Sequence, residues 1–155
     1  MSTLTRFLAR FFVVVATILS LIALVSSVSA GAQRSRSLQA TKAFHATKDC
    51  AGDPGHAGFF CTFRSSNVKA IKRGSKIFYF QAAGKTSLDS DTVVYAGRGD
   101  VAAGHCLLGF KTGEGLCTLS DGTGTLTGFH ARVRVTADKA IPNLWHWNGT
   151  YSFRR

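Results

Sequence analysis

The sequence predicts an all-β protein: a small eight-stranded antiparallel barrel with two hairpin disulfides, preceded by a helical signal peptide. Three observations carry this. Cys50 and Cys61 are eleven positions apart, and so are Cys106 and Cys117. Strand-like segments recur along the chain with polar and apolar residues alternating. Glycine-rich breaks separate them, and the two prolines both fall in turn positions.

The cysteine spacing is that of hairpins. Asp53-Pro54-Gly55 lies between the first pair and Thr112-Gly113-Glu114-Gly115 between the second. A turn between equal arms sets the two cysteines opposite each other. Cross-strand Cβ atoms are then about 4.5–5.5 Å apart, near disulfide geometry. Pairing is therefore expected as Cys50–Cys61 and Cys106–Cys117, with no cysteine left over. Zinc is the competing use of four cysteines and five histidines. Structural zinc sites favour cysteines separated by two to four residues, so no metal site is expected. The two cysteine phrases recur 56 residues apart, as a duplicated hairpin would, but share little else.

The opening residues read as an export signal. Arg6 and Arg10 form a positive start, residues 11–25 are apolar apart from Thr17 and Ser20, and Val28-Ser29-Ala30 supplies a small-residue cleavage site. Residues 1–30 are thus expected to be removed, with cleavage near Ala30 or Ala32. A retained membrane anchor is the alternative, but the apolar core falls short of the ~20 residues needed to span a bilayer. Residues 31–42 are polar and aperiodic and read as a flexible leader. Residues 43–155 form the barrel domain. A secreted or periplasmic location follows, and an oxidising compartment suits the cysteines.

Strands are expected over residues 44–50, 58–64, 76–82, 91–97, 104–110, 116–120, 129–136 and 145–153. The last two alternate most clearly. Phe129, Ala131, Val133 and Val135 share one face, opposite His130, Arg132, Arg134 and Thr136. Trp145, Trp147, Gly149, Tyr151 and Phe153 share another, opposite His146, Asn148, Thr150 and Ser152. Such alternation means one buried and one wet face. Eight strands of this kind close into a barrel whose interior is filled by side chains or holds one small ligand, and closure removes exposed edges. A two-sheet sandwich is the other solution.

Charge limits function only loosely. Arg6 and Arg10 leave with the signal, so 17 of the 19 basic residues remain against 8 acidic ones, a formal +9. Weak binding to anionic surfaces follows from such a charge. No helix or aromatic motif of a specific nucleic-acid binder is present, and no membrane span is expected after cleavage. Gly84-Lys85-Thr86 lacks the earlier glycine of a phosphate-binding loop, since Tyr79 stands there. Arg98-Gly99-Asp100 matches an adhesion tripeptide, and Asn148-Gly149-Thr150 matches a glycosylation sequon inside a strand. There is no Gly-x-Ser-x-Gly elbow and no acidic pair placed for glycoside hydrolysis.

Residues 119–129, Leu-Ser-Asp-Gly-Thr-Gly-Thr-Leu-Thr-Gly-Phe, lead into the alternating strand at 131–135. This stretch resembles the late hairpin of allene oxide cyclase-like barrels, the superfamily that includes plant dirigent proteins. The ending from Trp145 to Phe153 resembles the closing strand of exported bacterial proteins of that type. The resemblance covers about the last fifty residues and is specific to a fold more than a chemistry. It implies an eight-stranded barrel with an apolar cavity, in which a reactive molecule is cyclised or held during coupling. The cyclases place an acidic residue on the opening strand. Phe44-His45-Ala46-Thr47-Lys48 offers none here, so no catalytic residue carries over.

The leading expectation is an exported barrel that binds a small apolar or aromatic molecule, without a cofactor and without demonstrated catalysis. Candidate cavity residues are Tyr79, Gln81, Tyr95, Trp145, Trp147 and Tyr151. An isomerase or cyclase acting in the same cavity, and a basic surface-associated structural protein, are the alternatives.

Overall fold

The computed structural model describes residues 40–52 and 54–154. The signal segment and most of the leader lie outside the described residues, and so does Asp53 of the first turn. The chain forms eight strands: β1 (Lys42–Asp49), β2 (Phe60–Ser66), β3 (Lys76–Tyr79), β4 (Ser87–Gly97), β5 (Asp100–Gly109), β6 (Glu114–Ser120), β7 (Phe129–Ala137) and β8 (Leu144–Phe153). Each pairs antiparallel with its neighbour in sequence. β8 returns to β1, closing the barrel in the order β1 to β8. The alternative of two separate sheets is thereby excluded.

Both disulfides form as the spacing requires, Cys50–Cys61 and Cys106–Cys117. Their Cα atoms are 4.3 and 4.2 Å apart. Cys106 and Cys117 are direct partners across the β5–β6 hairpin and are fully buried. Two such bonds fit an oxidising compartment.

Alternation decides what enters the barrel. On β7, Phe129, Ala131, Val133 and Val135 point in, while Arg132 and Arg134 stay exposed. On β4, Leu88, Ser90, Thr92 and Val94 are buried. The two buried hydroxyls are satisfied by backbone: Ser90 Oγ donates to Asp91 O and Thr92 Oγ1 to Phe78 O, both at 2.6 Å. Gly149 on β8 pairs with Phe44 of β1 and Val133 of β7. A Cβ at Gly149 would lie 2.1 Å from the Arg132 carbonyl oxygen, so only glycine lets the strands approach here.

The two ends of the barrel differ. At one end, residues 67–75 and the short 3-10 turn Gly124–Leu126 bury Val68, Ile71 and Leu126. An aromatic cluster lies beneath them. Phe44 meets Phe129, Trp147 and Tyr151 edge-on at 5.9–6.2 Å between centroids. The Gly-Thr-Gly stretch belongs to this plug. Thr125 N donates to Asp100 Oδ1 at 2.7 Å, and Thr123 Oγ1 donates to Gly99 O at 2.7 Å. Asp100, the acid of the adhesion-like tripeptide, is thus committed to holding the plug. The opposite end is formed by the loops that follow β1, β3, β5 and β7, and there the interior is not filled.

Candidate functional site

A cavity of about 250 Å3 opens at this second end. A water occupies about 30 Å3 of liquid, so the space takes several waters or one small organic molecule. Its walls are Leu88, Leu108, Phe59, Phe110, Trp145 and the Cys50–Cys61 disulfide, with Pro54 and Gly52 from the first loop. The polar side chains that line it are Lys48, Tyr79 and Asn143. A larger groove of about 680 Å3 runs over the outside of β2 beside Arg64 and Arg73. That groove is open to solvent. The smaller cavity is the candidate site because buried polar groups converge on it.

Lys48 is the central group. Its strand places Phe44, Ala46 and Lys48 on the inner face, and Lys48 is 1% exposed. The amine Nζ lies 3.1 Å from Cys50 Sγ and 3.4 Å from Cys61 Sγ. Three aromatic rings surround it: Tyr79, Trp145 and Trp147, with centroids 5.4, 5.6 and 5.9 Å away. Among the described residues no carboxylate pairs with it. Sulfur atoms are weak acceptors, and ring faces compensate only part of the lost hydration. Burial therefore lowers the amine from the usual 10.5 to about 7.

Tyr79 is 1% exposed and stacks on Phe59 at 4.7 Å. Among the described residues its hydroxyl has no hydrogen-bond partner, and neither has the indole nitrogen of Trp147. Burial pushes the Tyr79 phenol above its usual range, so it remains a proton donor. An unpartnered buried hydroxyl costs about 1–3 kcal/mol. A ligand that accepts from it recovers that cost.

The loops at the rim are tied together. Cys50 N donates to Asn143 O at 2.9 Å, Ala83 N to Pro54 O at 2.8 Å, and Phe110 N to Thr86 O at 2.9 Å. The turn before β8 is fixed by Asp138. One carboxylate oxygen accepts from Ala140 N and Ile141 N, and the other lies 2.8 Å from His146 Nε2. The His146 hydrogen bond, followed by these two backbone bonds, holds the Asp138 carboxyl down to about 2. Asn143 completes the turn in the left-handed region at φ 61, which asparagine tolerates.

Of the six candidate residues read from sequence, the structure brings Tyr79 and Trp145 to the cavity. Trp147 lies beneath it, fully buried, with its ring under the Lys48 amine. Tyr151 points inward at the other end, packed on Phe44, Phe129 and Phe153. It is six positions along the strand from Trp145, about 20 Å.

Gln81 and Tyr95 lie outside. The strand expected over 76–82 ends at Tyr79, because Gln81 N donates to the Ser90 side chain instead of continuing the ladder. The Gln81 side chain then turns outward and accepts from Asp91 N. Tyr95 shares the outer face of β4 with Asp89 and Asp91.

Sequence reasoning missed Lys48. The resemblance asks only for an acid on the opening strand, and Phe44-His45-Ala46-Thr47-Lys48 supplies none. The available signal was parity: Lys48 is two and four residues from the apolar Ala46 and Phe44.

Comparison with protein-family models, curated proteins and solved structures finds no match. What the fold and site define is a class: a small disulfide-stapled β-barrel with a one-ended apolar cavity and a buried amine.

Proposed function

We propose that this is an exported barrel that binds one small apolar or aromatic molecule in the cavity above Trp147. The observation that carries the reading is a cavity of apolar and aromatic walls that holds an unpartnered hydroxyl and an uncompensated amine. Interiors are ordinarily close-packed and their polar groups paired. Departing from both at one place costs stability, and such departures collect at functional sites. The resemblance to allene oxide cyclase-like barrels supports the same reading, since it implies a closed eight-stranded barrel with an apolar interior.

Native mass spectrometry of the exported, purified protein tests this. The expected spectrum carries an added small-molecule mass that denaturation removes, leaving a chain four hydrogens below its reduced mass because of the two disulfides. An unmodified native mass that stays unchanged after exposure to apolar and aromatic compounds would contradict it.

Isomerase chemistry in the same cavity is the second reading. The observation favouring it is that Tyr79 can donate a proton while the Lys48 amine, at about 7, can accept one. It requires that the captured molecule be converted to a species of equal mass and different chromatographic retention. Recovery of the molecule unchanged would leave binding alone.

A further inference from the structure

We propose that Lys48 captures an apolar aldehyde in this cavity as an imine. The inference rests on the binding reading above and names the chemical class of the ligand. Four observations support it, of which the first three are geometric.

The first is that the amine sits in the cavity wall without a described carboxylate to hold its proton. Its hydrogen-bond contacts among the described residues are the two sulfurs of a disulfide. The second is that most of the wall is apolar and matches an aromatic or aliphatic body: Leu88, Leu108, Phe59, Phe110 and Trp145. The third is the unpartnered Tyr79 hydroxyl, on a ring whose centroid is 5.4 Å from the amine. A carbonyl group supplies what both lack, an electrophilic carbon for the nitrogen and an acceptor oxygen for the phenol.

The fourth observation concerns the state of the amine. At about 7, Lys48 is unprotonated in a large share of molecules at neutral pH. An ordinary lysine near 10.4 is almost wholly protonated and does not attack. Among the described residues, the other titratable group that faces the amine is Tyr79. The strands β4, β5 and β8 present Leu88, Leu108, Trp145 and Trp147, and β2 presents the disulfide-bonded Cys61.

The step balances without any further reactant. The Lys48 nitrogen lone pair attacks the carbonyl carbon as Tyr79 donates a hydrogen bond to the oxygen, giving a carbinolamine. Nitrogen loses its two protons in the course of the reaction and oxygen gains two. The C–O bond breaks, water leaves, and the C=N bond forms. Nothing is oxidised or reduced.

Reductive trapping tests the proposal with benzaldehyde as the probe. The disulfide-intact protein is incubated at pH 7 with benzaldehyde and cyanoborohydride, which reduces an imine to a stable secondary amine. Intact mass and peptide mapping then locate the benzyl group. The expected result is one benzyl group per chain, on Lys48, formed roughly tenfold or more faster than at any other lysine. Lys48→Arg and Lys48→Met should each abolish it. Benzyl alcohol, which has the shape without the carbonyl, should slow it by competition.

Label spread evenly over the lysines, or unchanged in both variants, overturns the imine. If benzyl alcohol perturbs Trp145 fluorescence but no Lys48 adduct forms, the imine fails while the binding cavity stands. If neither compound is bound, both fail.

Discussion

Lys48→Met should make the protein more stable, by roughly 2–4 kcal/mol at pH 6. A drop from 10.5 to about 7 corresponds to about 5 kcal/mol of disfavoured charge, part of which methionine recovers by filling the same space with apolar atoms. The pH dependence gives the result its signature. Between about 7 and 10.5 the unfolded chain binds a proton at this lysine and the folded chain does not. Stability of the natural sequence therefore rises as pH rises through that window, and is lowest, with the full cost present, below it. The methionine variant should lack this rise. Denaturant midpoints at pH 6, 8 and 10 measure both effects. A destabilised variant, or the same alkaline rise in both proteins, would show that the amine is a structural group already compensated in the fold.

Removing the two disulfides one at a time should separate their roles. By loop-closure entropy, each costs roughly 3 kcal/mol, because both close loops of the same length. Their surroundings differ. Cys106 and Cys117 lie in the packed interior, so Cys106→Ala with Cys117→Ala should lower stability and leave the cavity intact. Cys50–Cys61 is a wall of the cavity and anchors the loop that carries Gly52 and Pro54. Cys50→Ala with Cys61→Ala should lose comparable stability, and should also weaken ligand capture and let water reach Lys48. Urea midpoints and the affinity for an aromatic probe such as benzyl alcohol check the pair. Equal loss of ligand in both variants would mean that general loosening, and not the wall, is responsible.

The architecture was legible because its signals are local. Equal cysteine spacing fixes two hairpins, and strict alternation at 129–136 and 145–153 fixes two inward faces without reference to the rest of the chain. The site was only partly legible. In Thr92-Val93-Val94-Tyr95 both strand faces carry an apolar residue, so the sequence left the orientation of Tyr95 open, and pairing with β5 turned it outward. Gln81 depended on where β3 ends, which a hydrogen bond to Ser90 decides. Trp145 and Tyr151 share a face, but the length of β8 carries them to opposite ends. Lys48 needed two facts together: the parity of its strand and the closure of β8 onto β1, which seats Trp145 and Trp147 around its amine. Closure is a long-range property that no window of sequence contains.

One small apolar molecule is expected to occupy the cavity bounded by Lys48, Tyr79, Leu108 and Trp145. The most direct measurement is a crystal soaked in bromobenzene, with the bromine located by its anomalous scattering, for the natural sequence and for Leu108→Trp. The larger side chain fills the cavity at an expected cost of about 1–3 kcal/mol. A bromine peak is expected between these four residues in the natural sequence and none there in the variant. An empty cavity in the natural sequence, or bromine only in the groove over β2, would contradict it.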